Sequence, residues 1–179
     1  IKDVIVVGIW NGDKKRHAEY FPQKAFESLT EAEKNRVFEA VRTNGVSVFN
    51  NNAIYADKYL QYIVQELKPY IDQQFSTYTD AKNTFIGGSS MGGLISMYAI
   101  CEYPKVFGGA MCMSTHWPGI FVMENNPIPD AFLNYLNAHL PDPKNHKIYF
   151  DCGNQTLDAL YPPLQNKVDA VMRKKGFTE

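Results

Sequence analysis

The chain has 179 residues, enough for one domain with a hydrophobic core. Hydrophobic residues make up 45%, charged residues 21%, and the formal net charge is −1, the composition of an ordinary globular domain. No basic stripe is present and no apolar run is long enough to cross a bilayer, so neither nucleic acid nor membrane is an expected partner.

In chain order, Ile1-Lys2-Asp3 leads into Val4–Ile9, a β-branched run that predicts a buried strand and leaves no room for a leader. A buried parallel strand needs neighbours on both edges, so further chain is expected upstream. Trp10-Asn11-Gly12-Asp13 reads as a loop and residues 13–29 as an irregular excursion. Thr30-Glu31-Ala32-Glu33 has the capping-box pattern and should start a helix to about Arg42, stopped at Asn44-Gly45. From Ile54 to about Phe75 apolar residues recur at helical spacing, with a kink expected at Pro69. Thr84-Phe85-Ile86 is a short strand ending at Gly87-Gly88. Met91 to Tyr103 is a helix of small residues, Phe107 to Met113 a strand, and 117–127 a loop. Pro129 to Leu140 is a helix, Lys147 to Cys152 a strand, and Tyr161 to Lys175 an amphipathic helix closed by Gly176. Strands alternating with helices predict an α/β fold: a mostly parallel sheet with helices on its faces, one domain over 1–179.

The chemistry centres on Gly88-Ser89-Ser90-Met91-Gly92, a Gly-x-Ser-x-Gly pattern between a predicted strand and a predicted helix. A turn that sharp needs glycines, because a side chain at either would meet backbone. It puts Ser90 at the tip, and the Met91 N–H, at the helix start, can face a developing oxyanion. A phosphate loop fits less well, since no Lys-Ser or Lys-Thr follows the glycines.

With Gly93-Leu94 this segment resembles the esterase D and carbohydrate esterase family 1 branch of the α/β hydrolases. Val6-Val7-Gly8-Ile9-Trp10-Asn11, Arg16 with Glu19-Tyr20-Phe21-Pro22, Glu66-Leu67-Lys68-Pro69-Tyr70-Ile71-Asp72 and Tyr149-Phe150-Asp151-Cys152-Gly153 carry the resemblance along nearly the whole chain. It implies an α/β-hydrolase fold, incomplete at both ends here, and a Ser–acid–His triad without a cofactor. Ser90 is the nucleophile it implies. Asp158 and Asp151 both qualify as the acid by position, and Asp158, in the turn past Gly153, is preferred. The other uses are an N-cap at the last helix for Asp158 and a strand-end carboxylate bonded to backbone for Asp151.

The family's histidine follows the acid, and none follows Asp158 here; the stretch carrying its second oxyanion donor is also missing. Of the four histidines, His116, with Trp117, follows a strand and could line a pocket at the carboxyl edge of the sheet. His17, His139 and His146 sit in polar surroundings, are expected to be solvated, and lack metal-ligand spacing. Cys101, Cys112 and Cys152 form no disulfide framework and read as free thiols, leaving the compartment open between cytoplasmic and secreted.

The function expected is ester hydrolysis through an acyl-enzyme on Ser90. Within the family, acetyl or feruloyl esters of polysaccharides come first, with siderophore esters and S-formylglutathione as alternatives. A hydrolase-fold binding module without a catalytic histidine is the non-enzymatic reading.

Overall fold

In the computed structural model, residues 3–122 and 124–178 are described. Ile1 and Lys2 of the opening, Met123 of the expected 117–127 loop, and Glu179 lie outside the described residues.

Three parallel strands form the sheet, in the order β1 (Phe85–Ser89), β2 (Gly109–Met113), β3 (Lys147–Asp151). The register aligns Ser89 with Met113 and Met113 with Asp151, so all three strands end level at one carboxyl edge. β1 runs further than the sequence suggests, through both glycines, because Gly87 and Gly88 lie flat against β2.

Helices occupy much of the rest: α1 (Arg16–Tyr20), α2 (Gln23–Glu27), α3 (Glu31–Glu39), α4 (Ala56–Tyr62), α5 (Lys68–Gln74), α6 (Met91–Glu102), α7 (Ile128–His139) and α8 (Pro162–Lys174). α6 packs on β1 and β2 and is buried on every side, from Gly93 through Cys101. A helix apolar all round belongs inside, and each of Leu94, Met97 and Ile100 contributes about 1.5–3 kcal/mol by leaving water. The opposite sheet face is open among the described residues, with Phe85, Met111 and Tyr149 exposed.

Several expectations need correcting. Val4–Ile9 is not a strand; Val4 and Val6 are exposed, and among the described residues no strand pairs with them. β-branched residues favour a strand only where a neighbour completes the ladder. The stretch 13–29 is not irregular: α1 and α2 form there and bury Ala18, Tyr20, Phe21, Ala25 and Phe26. α3 has its capping box, with Thr30 Oγ1 accepting the Glu33 N–H at 3.3 Å and Glu33 accepting the Thr30 N–H at 2.9 Å. It stops early, at Ala40. Asn44-Gly45 instead turns a small antiparallel bridge between Val41 and Ser47, with Gly45 at φ 77°.

Pro69 also acts differently from a simple kink. The turn before it, Ile63–Leu67, is π-helical, and the Lys68 N–H reaches back to the Ile63 carbonyl. Pro69 has no N–H for the carbonyl four residues back, and a widened turn absorbs the mismatch.

The glycines of the Ser90 turn divide by what surrounds them. A Cβ on Gly88 would lie 2.8 Å from the Gly92 backbone, and one on Gly93 would lie 2.7 Å from Thr115 Oγ1, whereas one on Gly92 would meet nothing within 4 Å. The expectation that both Gly88 and Gly92 exclude a side chain therefore holds for Gly88, and Gly93 takes the second place. Gly88→Ala and Gly93→Ala should each lose about 1–3 kcal/mol in urea unfolding, and Gly92→Ala should be neutral or slightly stabilising. Equal losses at Gly88 and Gly92 would contradict this packing.

Candidate active site

Ser90 sits between β1 and α6 at φ 60°, ψ −116°, a conformation that side chains disfavour. Non-glycine residues hold such angles only when their surroundings compel it. Here the Ser90 N–H donates to the Met113 carbonyl at 2.9 Å, and the Ser90 carbonyl accepts from Gly93 at 3.0 Å, Leu94 at 3.2 Å and His116 at 3.3 Å. The first N–H groups of α6, those of Met91 and Gly92, have no carbonyl within the helix and mark its positive end.

At the end of β2, Ser114 has φ 41° and ties the sheet edge together. Its N–H donates to both the main-chain oxygen and Oδ1 of Asp151, at 3.0 and 2.9 Å. Its Oγ donates to Asp158 Oδ2 at 2.8 Å, and the Gly153 N–H donates to that same oxygen at 2.9 Å. Asp158 lies in a short 3-10 turn, Thr156–Leu160; α8 begins at Pro162 without a side-chain cap, so Asp158 does not serve as its N-cap. Asp151 is the strand-end carboxylate bonded to backbone.

His116 and Trp117, expected beside a pocket, are both buried. Trp117 turns into the core, where its Nε1–H donates to Gln165 Oε1 at 2.8 Å and its ring lies 5.6 Å from that of Phe150. His116 Nδ1 is 2.9 Å from the Tyr161 hydroxyl, while its Nε2 is buried without a hydrogen-bond partner among the described residues. His17 is not solvated, contrary to expectation: it is 3% exposed, with Nε2 at 2.7 Å from the Gly119 carbonyl. His139 is exposed and bonds the Tyr135 carbonyl, whereas His146 is half-buried and bonds those of Asp142 and Pro104. None of these ring nitrogens bonds Ser90, Asp151 or Asp158.

Burial lowers the His116 pKa to about 4, with Arg16 and Arg42 adding to the effect. Burial likewise takes His17 down to about 3, opposed by the Gly119 bond and assisted by His116, Arg42 and Arg16. Burial pushes the Tyr161 hydroxyl up to about 12; Asp158 adds to this and the neighbouring Ser90 side chain opposes it. No group of three or more His, Cys, Asp or Glu suited to a metal occurs among the described residues. The three cysteines are free, as expected.

Ser114 and Tyr161 were not singled out from the sequence. The signal for each was position: Ser114 closes β2 at the edge where side chains converge, and Tyr161 follows Asp158 by three residues.

The two buried imidazoles give a pH dependence. Unfolded, each binds a proton near pH 6.5; folded, they bind only near 3 and 4. Their contribution is complete above pH 6.5 and is lost as pH falls toward 4, by about 1 kcal/mol per pH unit for each ring. Urea midpoints should drop between pH 6 and 4, and the combined His17→Gln, His116→Asn variant should flatten that slope. A wild-type midpoint constant over that range would refute the assignment.

Comparison with known proteins fits this geometry. The profile of a protein family described as "Putative esterase" matches residues 1–175. The Bacillus subtilis (strain 168) protein YbbA is 38% identical over 128 residues, covering 68% of this chain and 47% of YbbA. YjcH of the same organism is 25% identical over 101 residues, covering 56% of this chain and 37% of YjcH. The chain thus spans less than half the length of these relatives. Among solved structures, the enterobactin esterase FES from Shigella flexneri, in the presence of 2,3-di-hydroxy-N-benzoyl-glycine, superposes with a TM-score of 0.54 at 19% identity, over 66% of this chain and 30% of that one. A ferulic acid esterase gives 0.52 at 20% identity, over 67% and 49%. At these identities the likeness is one of fold, and the fold is of the α/β-hydrolase type.

Proposed function

We propose, since this chain belongs to the esterase family, that it hydrolyses carboxylic esters through an acyl-enzyme formed on Ser90. The observation that carries the reading is the Ser90 backbone, held at φ 60° where a parallel strand meets a buried helix, at the sheet edge where β3 ends in Asp151. Ser90 Oγ adds to the ester carbonyl carbon, and the Met91 N–H, at the positive end of α6, stabilises the oxyanion. The alcohol leaves with the serine's proton, relayed by a histidine, and water then releases the acid.

Asp158 serves as the acid in this reading. Both bonds that hold it end on Oδ2, which leaves Oδ1 to accept from a histidine. Asp151 is committed to the Ser114 N–H. No ring nitrogen among the described residues bonds Ser90, so in this reading these 179 residues alone do not hold a complete triad.

The substrate in this reading is an acetyl or feruloyl ester on a polysaccharide, with siderophore esters and S-formylglutathione as alternatives. The two solved structures are named for enterobactin and ferulic acid, which keeps an aryl acyl or aryl-bearing ester in view. The missing histidine contact is the one observation that favours a non-catalytic binding module.

In the full-length protein a fluorophosphonate should label Ser90, and Ser90→Ala should lose turnover by several orders of magnitude while remaining folded. Ser90→Gly should also be inactive yet more stable, since glycine adopts this φ without strain. Labelling at Ser89, or an active Ser90→Ala, would end the proposal. Asp158→Asn should lower kcat by about 10⁴-fold, as for other triad acids, and Asp151→Asn far less; the reverse order would transfer the role. The 179 residues alone should show no Ser90-dependent turnover, and a rate abolished by His116→Ala would make His116 the base.

A further inference from the structure

A glycine at position 114 would take φ 41° without strain, yet the chain has a serine there. Ser114 directly follows β2 and is half-buried. Its N–H is held by the main-chain oxygen and Oδ1 of Asp151, at 3.0 and 2.9 Å, which ties its backbone to the end of β3. Its hydroxyl crosses to the turn after β3 and meets Asp158 Oδ2 at 2.8 Å. A strained backbone persists where its surroundings compel it, and the hydroxyl is what a glycine would forfeit.

The partners of Asp158 show what that hydroxyl does. A carboxylate only accepts, so the Ser114 hydroxyl is the donor. The Gly153 N–H donates to the same oxygen at 2.9 Å, and position 153 has to stay bare, since a Cβ there would lie 2.9 Å from Oδ2. No bond among the described residues ends on Oδ1. Nor is Oδ1 shut in: the buried side-chain atom left without a partner among them is His116 Nε2. From Gly153 to Leu160 every residue except Asp158 is exposed, so packing does little to orient the carboxylate. The last torsion of an aspartate is broad and roughly two-fold. Two donors on one oxygen select one orientation and present the other oxygen.

We propose that Ser114 is a positioning residue for the acid of the triad: its hydroxyl holds Asp158 by Oδ2, so that Oδ1 is the oxygen offered to the histidine that serves Ser90. The inference rests on the reading in which Asp158 is that acid. Hydrogen bonds to a carboxylate favour its charged form, so the same bond keeps the negative charge in place while the histidine holds the serine's proton. Asp151 contributes by clamping the Ser114 main chain. An asparagine at 151 keeps an accepting oxygen, which agrees with the mild effect expected of Asp151→Asn.

The test uses the full-length protein with p-nitrophenyl acetate as substrate. Ser114→Gly removes the hydroxyl and the strain together; kcat should fall about ten- to a hundredfold, with KM within about twofold and the melting temperature close to wild type. Ser114→Ala, which keeps the strain, should be as slow. Ser114→Thr keeps a hydroxyl but puts a β-branched carbon at positive φ, so it should recover most of kcat while melting lower. In an Asp158→Asn background, Ser114→Gly should change kcat by less than about twofold, because its route to the chemistry is already cut. Wild-type kcat in Ser114→Gly beside a slow Asp158→Asn would overturn the proposal. So would a loss confined to KM or to melting temperature, losses that multiply in the double variant, or a folded Ser114→Thr as slow as Ser114→Gly. Should Ser114→Thr not fold, Ser114→Gly and the double variant decide. Wild-type turnover in Asp158→Asn would instead remove the acid assignment on which the proposal rests, so the two failures are distinguishable.

Discussion

The main chain of Ser90 is the joint on which this structure turns. Its N–H is bonded to the end of β2, and its carbonyl accepts from two residues of α6 and one of the loop after β2. Those bonds hold a φ of 60°, which costs about 1–3 kcal/mol in a non-glycine residue. The packing has the same purpose: Gly88 lets α6 come down on the strand, and Gly93 lets Thr115 pass beneath it. Ser114 repeats the device one strand over, at φ 41°, and binds the carboxylates of Asp151 and Asp158 to the edge. Thr156, at φ 54°, completes a row of strained residues in the turns that follow the three strands. Each turn at this edge thus carries a residue at positive φ, and α6 supplies apolar burial that offsets the strain.

The imidazoles of His17 and His116 show a second tension. Their ring centroids are 6.5 Å apart, with Arg16 and Arg42 near enough to disfavour a further positive charge. Neutral rings can be buried at modest cost, charged ones cannot. The interior behind Ser90 is therefore uncharged but polar, an environment in which one hydroxyl or one N–H changes the orientation of its neighbours.

The sequence revealed those elements whose signals are local. The capping box at Thr30, the small-residue helix after Ser90 and the proline-started helix at 128–139 all depend on neighbours a few residues away, and all are present. Val4–Ile9 misled because a strand is a contact between segments, and propensity supplies only half of it. The α1–α2 region misled in the opposite direction: five-residue helices are too short to show a period, yet Phe21 between them packs against Phe49 and Phe132. For the site, motif spacing pointed to Ser90, and the family resemblance pointed to the end of the third strand and the turn after it, where Asp151 and Asp158 lie. It could not show Ser114 or Tyr161, whose importance comes from reaching across 44 and 45 residues of chain to Asp158 and His116.

The π-turn at Ile63–Leu67 has a geometric consequence for the helix beyond it. A turn closed by five residues instead of four holds one residue more than the α-helical ladder allows, and each residue advances the helix by about 100°. Everything after Leu67 is thus rotated by roughly a third of a revolution relative to an unbroken helix. Ile71 and Asp72 are half-buried in that rotated frame, and Asp72 meets Lys68 and Thr77 there. Deleting one residue from the π-turn would restore the regular ladder and swing this anchoring pair out of phase with its surroundings. The extra residue is therefore a phase-setter, and the loop that leads to β1 starts from the azimuth it fixes.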